Sequence, residues 1–128
     1  MKQLLNTHTF LWFVDGNPKL STRVRGLIED KTNENIISIV SLWEMSIKYN
    51  IGKLQLNSPF NTFVQQEVKE SNIKVLNISL EHLNLTATLP LHHRDPFDHL
   101  IIAQAMVEDI PVLSIDRAFD AYSIITIW

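Results

Sequence analysis

The segment from Asp95 to Val107, DPFDHLIIAQAMV, constrains the fold more than any other part of the chain. Asp95 has the side chain of a helix N-cap, and Pro96 suits the first helical position because its missing N–H costs nothing there. The residues after Asp98 are apolar nearly all round a helix, so a helix here must be buried. Asp98 itself falls in the first turn, where the positive end of the helix favours a carboxylate. Packing alone does not explain two acids at the start of a buried helix, which raises the question of whether other acids meet Asp98 in space.

The rest of the chain alternates short apolar or β-branched runs with helical patterns. Ser41 and Glu44 fit a capping box, which predicts that one helix begins at Ser41. This alternation predicts an α/β fold, with a central, mostly parallel sheet of four to five strands flanked by helices. Strands are predicted at residues 2–5, 36–40, 74–78, 111–115 and 124–127, and further helices at 9–14, 21–30, 41–51, 60–70 and 80–88.

The composition indicates one domain over residues 1–128 and favours a cytoplasmic location. The absence of cysteine excludes disulfides and thiolate metal sites, which fits a cytosolic protein. The apolar run at 10–14 is too short for a signal peptide or a membrane span, so we expect no membrane association. The formal net charge is −3, so contact with nucleic acid would depend on local basic residues or on bound metal ions.

Several oxygen-bearing side chains follow the predicted strands and are expected at one edge of the sheet. Asn6 follows the first strand, Glu44 lies one helical turn after the second, and Asp116 follows the fourth. Asp98 opens a helix packed beside them. Ligand sites of open parallel sheets form outside the carboxyl ends of the strands. Clustered carboxylates need a cation, and Mg²⁺ or Mn²⁺ held this way suits phosphodiester hydrolysis.

Each acid also has a local interpretation. Glu44 can complete the capping box and pair with Lys48, four residues further along the helix. In this interpretation Asp98 only stabilises the helix dipole, and Asp116 only forms a turn with Arg117. One shared edge for all three acids favours the metal-site hypothesis over three separate accidents.

The basic residues and histidines near these acids give weaker indications. Lys48 and Arg94 are candidates for contact with a phosphate group, although Lys48 has the helix-pair alternative. His92, His93 and His99 offer a zinc site as an alternative, but adjacent histidines rarely chelate one ion.

Five blocks of sequence resemble the PIN-domain ribonucleases, specifically the VapC-type toxins of bacterial toxin–antitoxin pairs. The resemblance implies a PIN-like fold and a Mg²⁺- or Mn²⁺-dependent endoribonuclease that cleaves tRNA or other structured RNA. It also implies a homodimer, and inhibition by a VapB-type antitoxin whose C-terminal segment occupies the acidic groove. The blocks are LLNTHTFLWF at 4–13, SLWEMSIKYNIGKL at 41–54, LPLHHRDPFDHLIIAQA at 89–105, VLSID at 112–116 and the terminal IITIW.

The acids of that family map onto Glu44, Asp98 and Asp116, and Asp95 matches a further acid that supports the site. The chain departs from the family at Asn6, where the first metal-binding aspartate is an amide. Asn6 offers a carbonyl oxygen without the charge, which should weaken metal affinity and the activation of water. In that family arginine is usual at the position that His99 occupies here. An inactivating substitution and a natural loss of activity both explain Asn6, and the sequence does not separate them.

Two other functions are alternatives to a toxin ribonuclease. The first is a catalytically inactive PIN domain that acts only as an antitoxin-binding or regulatory module. The second is a response-regulator receiver domain, which requires an acidic pair after the first strand and a lone aspartate after the third. Those places hold Asn6-Thr7 and Asn77-Ile78-Ser79, which argues against the receiver.

Overall fold

The computed structural model describes residues 1–92 and 95–128. Within these residues, five strands form one sheet in the order β3-β2-β1-β4-β5, and every adjacent pair is parallel. The prediction of a mostly parallel sheet flanked by helices is therefore confirmed. The strands are β1 (Lys2–Leu5), β2 (Glu34–Ser38), β3 (Lys74–Leu76), β4 (Val112–Leu113) and β5 (Thr126–Ile127).

The strands are joined by helices that cover the two faces of the sheet. No described helix combines the length and the apolar character needed to cross a membrane. The α-helices are α1 (Thr7–Asp15), α2 (Thr22–Glu29), α3 (Ile39–Asn50), α4 (Phe60–Val64), α5 (Leu80–Thr86) and α6 (Pro96–Glu108), with a π-helical turn at Gln65–Lys69 and a 3₁₀ helix at Arg117–Ala121.

Two hydrophobic clusters lie on opposite faces of the sheet because successive side chains of a strand point in opposite directions. Leu4 belongs to the cluster that contains Ile101 and Ile102 of α6, and Leu5 belongs to the cluster that contains Phe10 of α1. All five side chains are fully buried. The predicted buried helix after Asp95 thus packs against one face of the sheet.

The start of α3 differs from its prediction. The helix begins at Ile39, and its N-cap is Ser38, whose Oγ accepts a hydrogen bond from the Val40 N–H. The capping box expected between Ser41 and Glu44 is wrong, since both residues lie inside the helix. Ile39 and Val40, the last two residues of the run that predicted a strand, lie in the first turn of the helix instead.

Other boundaries shift by smaller amounts. Helix α1 begins two residues earlier than predicted, because Asn6 is its N-cap. The helix predicted at 60–70 is α4 followed by a π-helical turn, in which the Glu70 N–H donates to the carbonyl of Gln65. The third, fourth and fifth strands are shorter than predicted.

The central position of β1 predicts a matched pair of mutational effects. We expect Leu4→Ala to lower the free energy of unfolding by about 2–5 kcal/mol, because the Leu4 side chain is fully buried and its removal leaves a cavity. Leu80→Ala is the control, since Leu80 is 77% exposed and should change stability by less than about 0.5 kcal/mol. Urea denaturation of both variants measures the difference, and similar losses would contradict this core assignment.

Candidate active site

Asn6 lies at the junction of β1 and α1 and uses both ends of its amide. Its Oδ1 accepts a hydrogen bond of 2.9 Å from the Thr9 N–H and so caps α1. Its Nδ2 donates to Ser114 Oγ at 2.8 Å. The side chain is buried, at 8% exposed. Asn6 is therefore a neutral hydrogen-bonding group fixed at the carboxyl edge of the sheet.

Ser114 connects Asn6 to Asp116. Its buried hydroxyl oxygen also accepts a hydrogen bond of 3.0 Å from the Asp116 N–H. Asp116 is half-buried, and its Oδ1 accepts from the Ala118 N–H at 2.9 Å, which caps the 3₁₀ helix. Because β1 pairs with β4, the residues that follow these two strands meet at one place.

Glu44 reaches the same edge from α3. Its side chain is buried, and its Oε1 accepts a hydrogen bond of 2.8 Å from Thr7 Oγ1, the residue next to Asn6. Thr7 Oγ1 also lies 2.9 Å from Ser41 Oγ. The second oxygen, Oε2, accepts from Lys48 Nζ at 2.9 Å. The ion pair predicted from the spacing of Glu44 and Lys48 is confirmed, and both carboxylate oxygens are engaged.

Asp98 stands in the first turn of α6, as predicted. Asp95 Oδ1 accepts hydrogen bonds from the N–H groups of Phe97 and Asp98, at 2.8 and 3.3 Å, so Asp95 acts as the N-cap. The Phe97 ring packs against Trp43 with the centroids 5.1 Å apart. This contact places the start of α6 beside the residue of α3 that precedes Glu44.

A buried polar contact also fixes α6 against α3. Ser38 Oγ, which caps α3, donates to Gln104 Oε1 at 2.5 Å, and both residues are fully buried. Gln104 Nε2 donates to the Asn77 carbonyl at 3.3 Å. An unpaired amide in this apolar interior would be costly, so the contact specifies one position of α6 relative to α3. This bond joins the N-cap of α3 to α6, and so links the helices that carry Glu44 and Asp98.

The histidines take part in packing and local bonding. His99 is buried, and its Nε2 lies 3.2 Å from the Leu89 carbonyl, to which it donates. The ring of His92 contacts Tyr122, with the centroids 5.3 Å apart. His93 and Arg94 lie outside the described residues, so the suggestions of a zinc ligand and a phosphate contact there stay predictions.

No sequence motif indicated the two hydroxyl residues, Thr7 and Ser114, that contact the candidate site residues. Thr7 touches Glu44, and Ser114 touches both Asn6 and the backbone of Asp116. Their one sequence indication is position, because Ser114 directly follows β4 and Thr7 follows Asn6 at the end of β1. A pocket of about 330 Å³ opens beside Ser114 and Asp116, and Arg117 and Trp128 also line it.

The donors at this edge fit a divalent metal ion in type but not in number. Carboxylate and amide oxygens are the ligands that Mg²⁺ and Mn²⁺ prefer. Within residues 1–92 and 95–128, however, no three His, Asp or Glu side chains are grouped so that they hold one ion. Asn6 contributes no charge, and Glu44 is already paired with Lys48. Within the described residues, this edge of the sheet therefore brings oxygen donors together without a group of three acids around one point.

Comparison with known proteins covers nearly the whole chain. The sequence model of the PIN domain matches residues 4–125. No curated protein sequence matches the chain. Among solved structures, VapBC2 from Rickettsia felis bound to a promoter DNA fragment is similar at a TM-score of 0.72 and 16% identity, over 99% of this chain and 98% of that chain.

Two further solved structures are similar at comparable levels. VapBC-1 from nontypeable Haemophilus influenzae gives a TM-score of 0.69 and 14% identity over 99% of this chain and 97% of that chain. FitAcB from Neisseria gonorrhoeae gives a TM-score of 0.66 and 15% identity over 98% of this chain and 96% of that chain. At such low identities the likeness concerns the fold.

The central role of Ser114 predicts a loss of stability on removal of its hydroxyl. We expect Ser114→Ala to lower the free energy of unfolding by about 1–3 kcal/mol, because it leaves the buried Asn6 amide without its partner. Ser46→Ala is the matched control, since the Ser46 hydroxyl only donates to the Trp43 carbonyl of its own helix. Its effect should stay below about 0.5 kcal/mol in urea denaturation. Equal losses of stability in the two variants would show that the Ser114 hydroxyl contributes no more than an ordinary helix hydroxyl.

Proposed function

Because the chain belongs to the PIN-domain family, whose members are generally nucleases that use divalent metals, we propose that it is a VapC-type toxin. It is built as a Mg²⁺- or Mn²⁺-dependent endoribonuclease acting on tRNA or other structured RNA, and Asn6 impairs it in this form. The observation that carries the proposal is the position of Asn6. This uncharged side chain is bonded to Ser114 and adjoins Thr7, between the candidate acids Asp116 and Glu44.

The solved structures support an antitoxin partner. The similar proteins from Rickettsia, Haemophilus and Neisseria are VapBC and Fit complexes, and the likeness spans almost the full length of the chain. We propose that a VapB-type antitoxin binds this chain in the same manner. We further propose, from the sequence resemblance, a homodimer that acts on RNA in the cytoplasm.

The chemistry proposed for the site assigns separate tasks to its residues. A divalent ion, when bound, would supply an activated water and neutralise charge on the scissile phosphate. Glu44, Asp98 and Asp116 would hold it with the Asn6 carbonyl oxygen, and Asp95 would support Asp98 as the cap of α6. Thr7 orients Glu44, and Ser114 fixes the segment that leads to Asp116.

Restoring the acid at position 6 tests the nuclease proposal. We expect Asn6→Asp, purified free of antitoxin and supplied with Mn²⁺, to cleave RNA at least about tenfold faster than the unchanged protein, which corresponds to about 1.4 kcal/mol of barrier. The added charge should strengthen metal binding and the activation of water. Cleavage of a mixed tRNA substrate, with Mn²⁺ and with a chelator, measures the effect.

Two controls separate the site from a general charge effect. Asn17→Asp adds the same charge at another helix-flanking asparagine, where the side chain only accepts from the Lys19 N–H, and should leave the rate unchanged. Adding Asp116→Asn to Asn6→Asp should return the rate to that of the unchanged protein.

An inactive binding module is the second candidate function. It is favoured by the engagement of both Glu44 oxygens and by the absence, within the described residues, of a group of three acids or histidines around one point. In that case the chain acts only through its antitoxin. Failure of Asn6→Asp to cleave any RNA in Mn²⁺ would select this function and reject the nuclease.

A further inference from the structure

We propose that Lys48 is an internal cation that competes with a divalent metal ion for Glu44 and balances the charge of the site when no metal is held there. The inference rests on the proposed function, since it concerns the same metal-binding edge. It assigns a regulatory role to a residue that was expected either to contact phosphate or to stabilise its helix.

The first observation is that the Glu44–Lys48 pair joins a buried acid to a partly exposed base. Lys48 Nζ lies 2.9 Å from Glu44 Oε2; the Glu44 side chain is 9% exposed and the Lys48 side chain 39% exposed. In the ion pairs that Glu34 and Glu108 form the acid is more open, with Glu34 at 27% and Glu108 at 40%. A buried carboxylate needs a cation far more than an exposed one does.

The second observation is that Lys48 binds the Glu44 carboxylate oxygen that Thr7 does not bind. Thr7 Oγ1 donates a hydrogen bond to Oε1, and the Lys48 ammonium donates to Oε2. A divalent ion that uses Glu44 as a ligand would stand against this ammonium, and two cations at one carboxylate repel each other. Metal binding at Glu44 must therefore move Lys48 or be weakened by it.

The third observation is that the Lys48 side chain is exposed enough to move away from Glu44 into solvent. Its ammonium sits on a flexible stem that already reaches solvent, and exposed lysine heads lose little when they return to water. The Asn6 amide shifts the balance toward Lys48, because it removes a negative charge that would favour the doubly charged ion. In this chain Lys48 is thus the better-matched counter-ion.

The experiment measures Mn²⁺ affinity by calorimetry, with Mn²⁺ alone as the probe. The full chain carries Asn6→Asp in every arm, so that metal binding is strong enough to measure. We expect the addition of Lys48→Gln to tighten Mn²⁺ binding about threefold to tenfold, because the competing charge is gone. Lys31→Gln removes the same charge from an exposed turn before β2, at the opposite edge of the sheet, and should change the affinity by less than about twofold.

Thermal unfolding supplies a second readout. Without metal, Lys48→Gln should melt at a lower temperature than Lys31→Gln, because Glu44 then lacks its cation, and saturating Mn²⁺ should remove most of that difference. Lys48→Met keeps the apolar stem and serves as the second variant if the glutamine form folds poorly. A purely structural ion pair would lower the melting temperature without tightening Mn²⁺ binding.

The outcomes separate the two proposals. If Asn6→Asp binds Mn²⁺ and the loss of the Lys48 charge leaves the affinity unchanged or weaker, the competition proposal is overturned and the nuclease proposal stands. If Asn6→Asp binds no Mn²⁺ with either residue at position 48, the metal site itself is rejected and the competition proposal falls with it.

Discussion

Strand β1 is the constraint on which the candidate site depends. It pairs in parallel with β2 on one side and β4 on the other, so three segments leave the sheet at one edge. Leu4 and Leu5 are fully buried on opposite faces, and a slip of one residue would exchange those faces. The register that buries these leucines also fixes Asn6 and Thr7 between the neighbouring segments. Apolar packing thus determines where the polar groups of the site meet.

A helix start is predictable from the sequence when the residues that determine it are adjacent in sequence. Helix α6 begins as predicted because its N-cap, its first-turn proline and its acid are all adjacent in sequence. Helix α3 begins two residues early because Ser38 and Ser41 both have capping side chains, and the sequence does not choose between them. Tertiary contacts decide, since Ser38 bonds to Gln104 while Ser41 lies against Thr7. A choice made by distant residues is not readable from a local pattern.

The same distinction applies to the candidate site. A parallel sheet alone predicts that the residues after β1 and β4 lie at one edge, and helix spacing alone predicts the Glu44–Lys48 pair, whereas the pairing of β1 with β4 comes from the structure. The links through Thr7 and Ser114 were not predictable, because a hydroxyl near an acid carries no sequence pattern that distinguishes a bonded pair from a solvated one. Nor does spacing reveal that Lys48 meets a buried carboxylate, which makes that pair more than ordinary helix support.

Asn6 has a consequence for the conditions under which the molecule keeps its shape. Amide and carboxylate side chains cap a helix about equally well, so α1 begins at the same residue with either. A carboxylate buried here would make folding depend on the supply of a cation, because the ion would offset its charge only in the folded state. The amide removes that dependence at this position. A chain made where metal is scarce therefore keeps the junction of β1 and α1 intact.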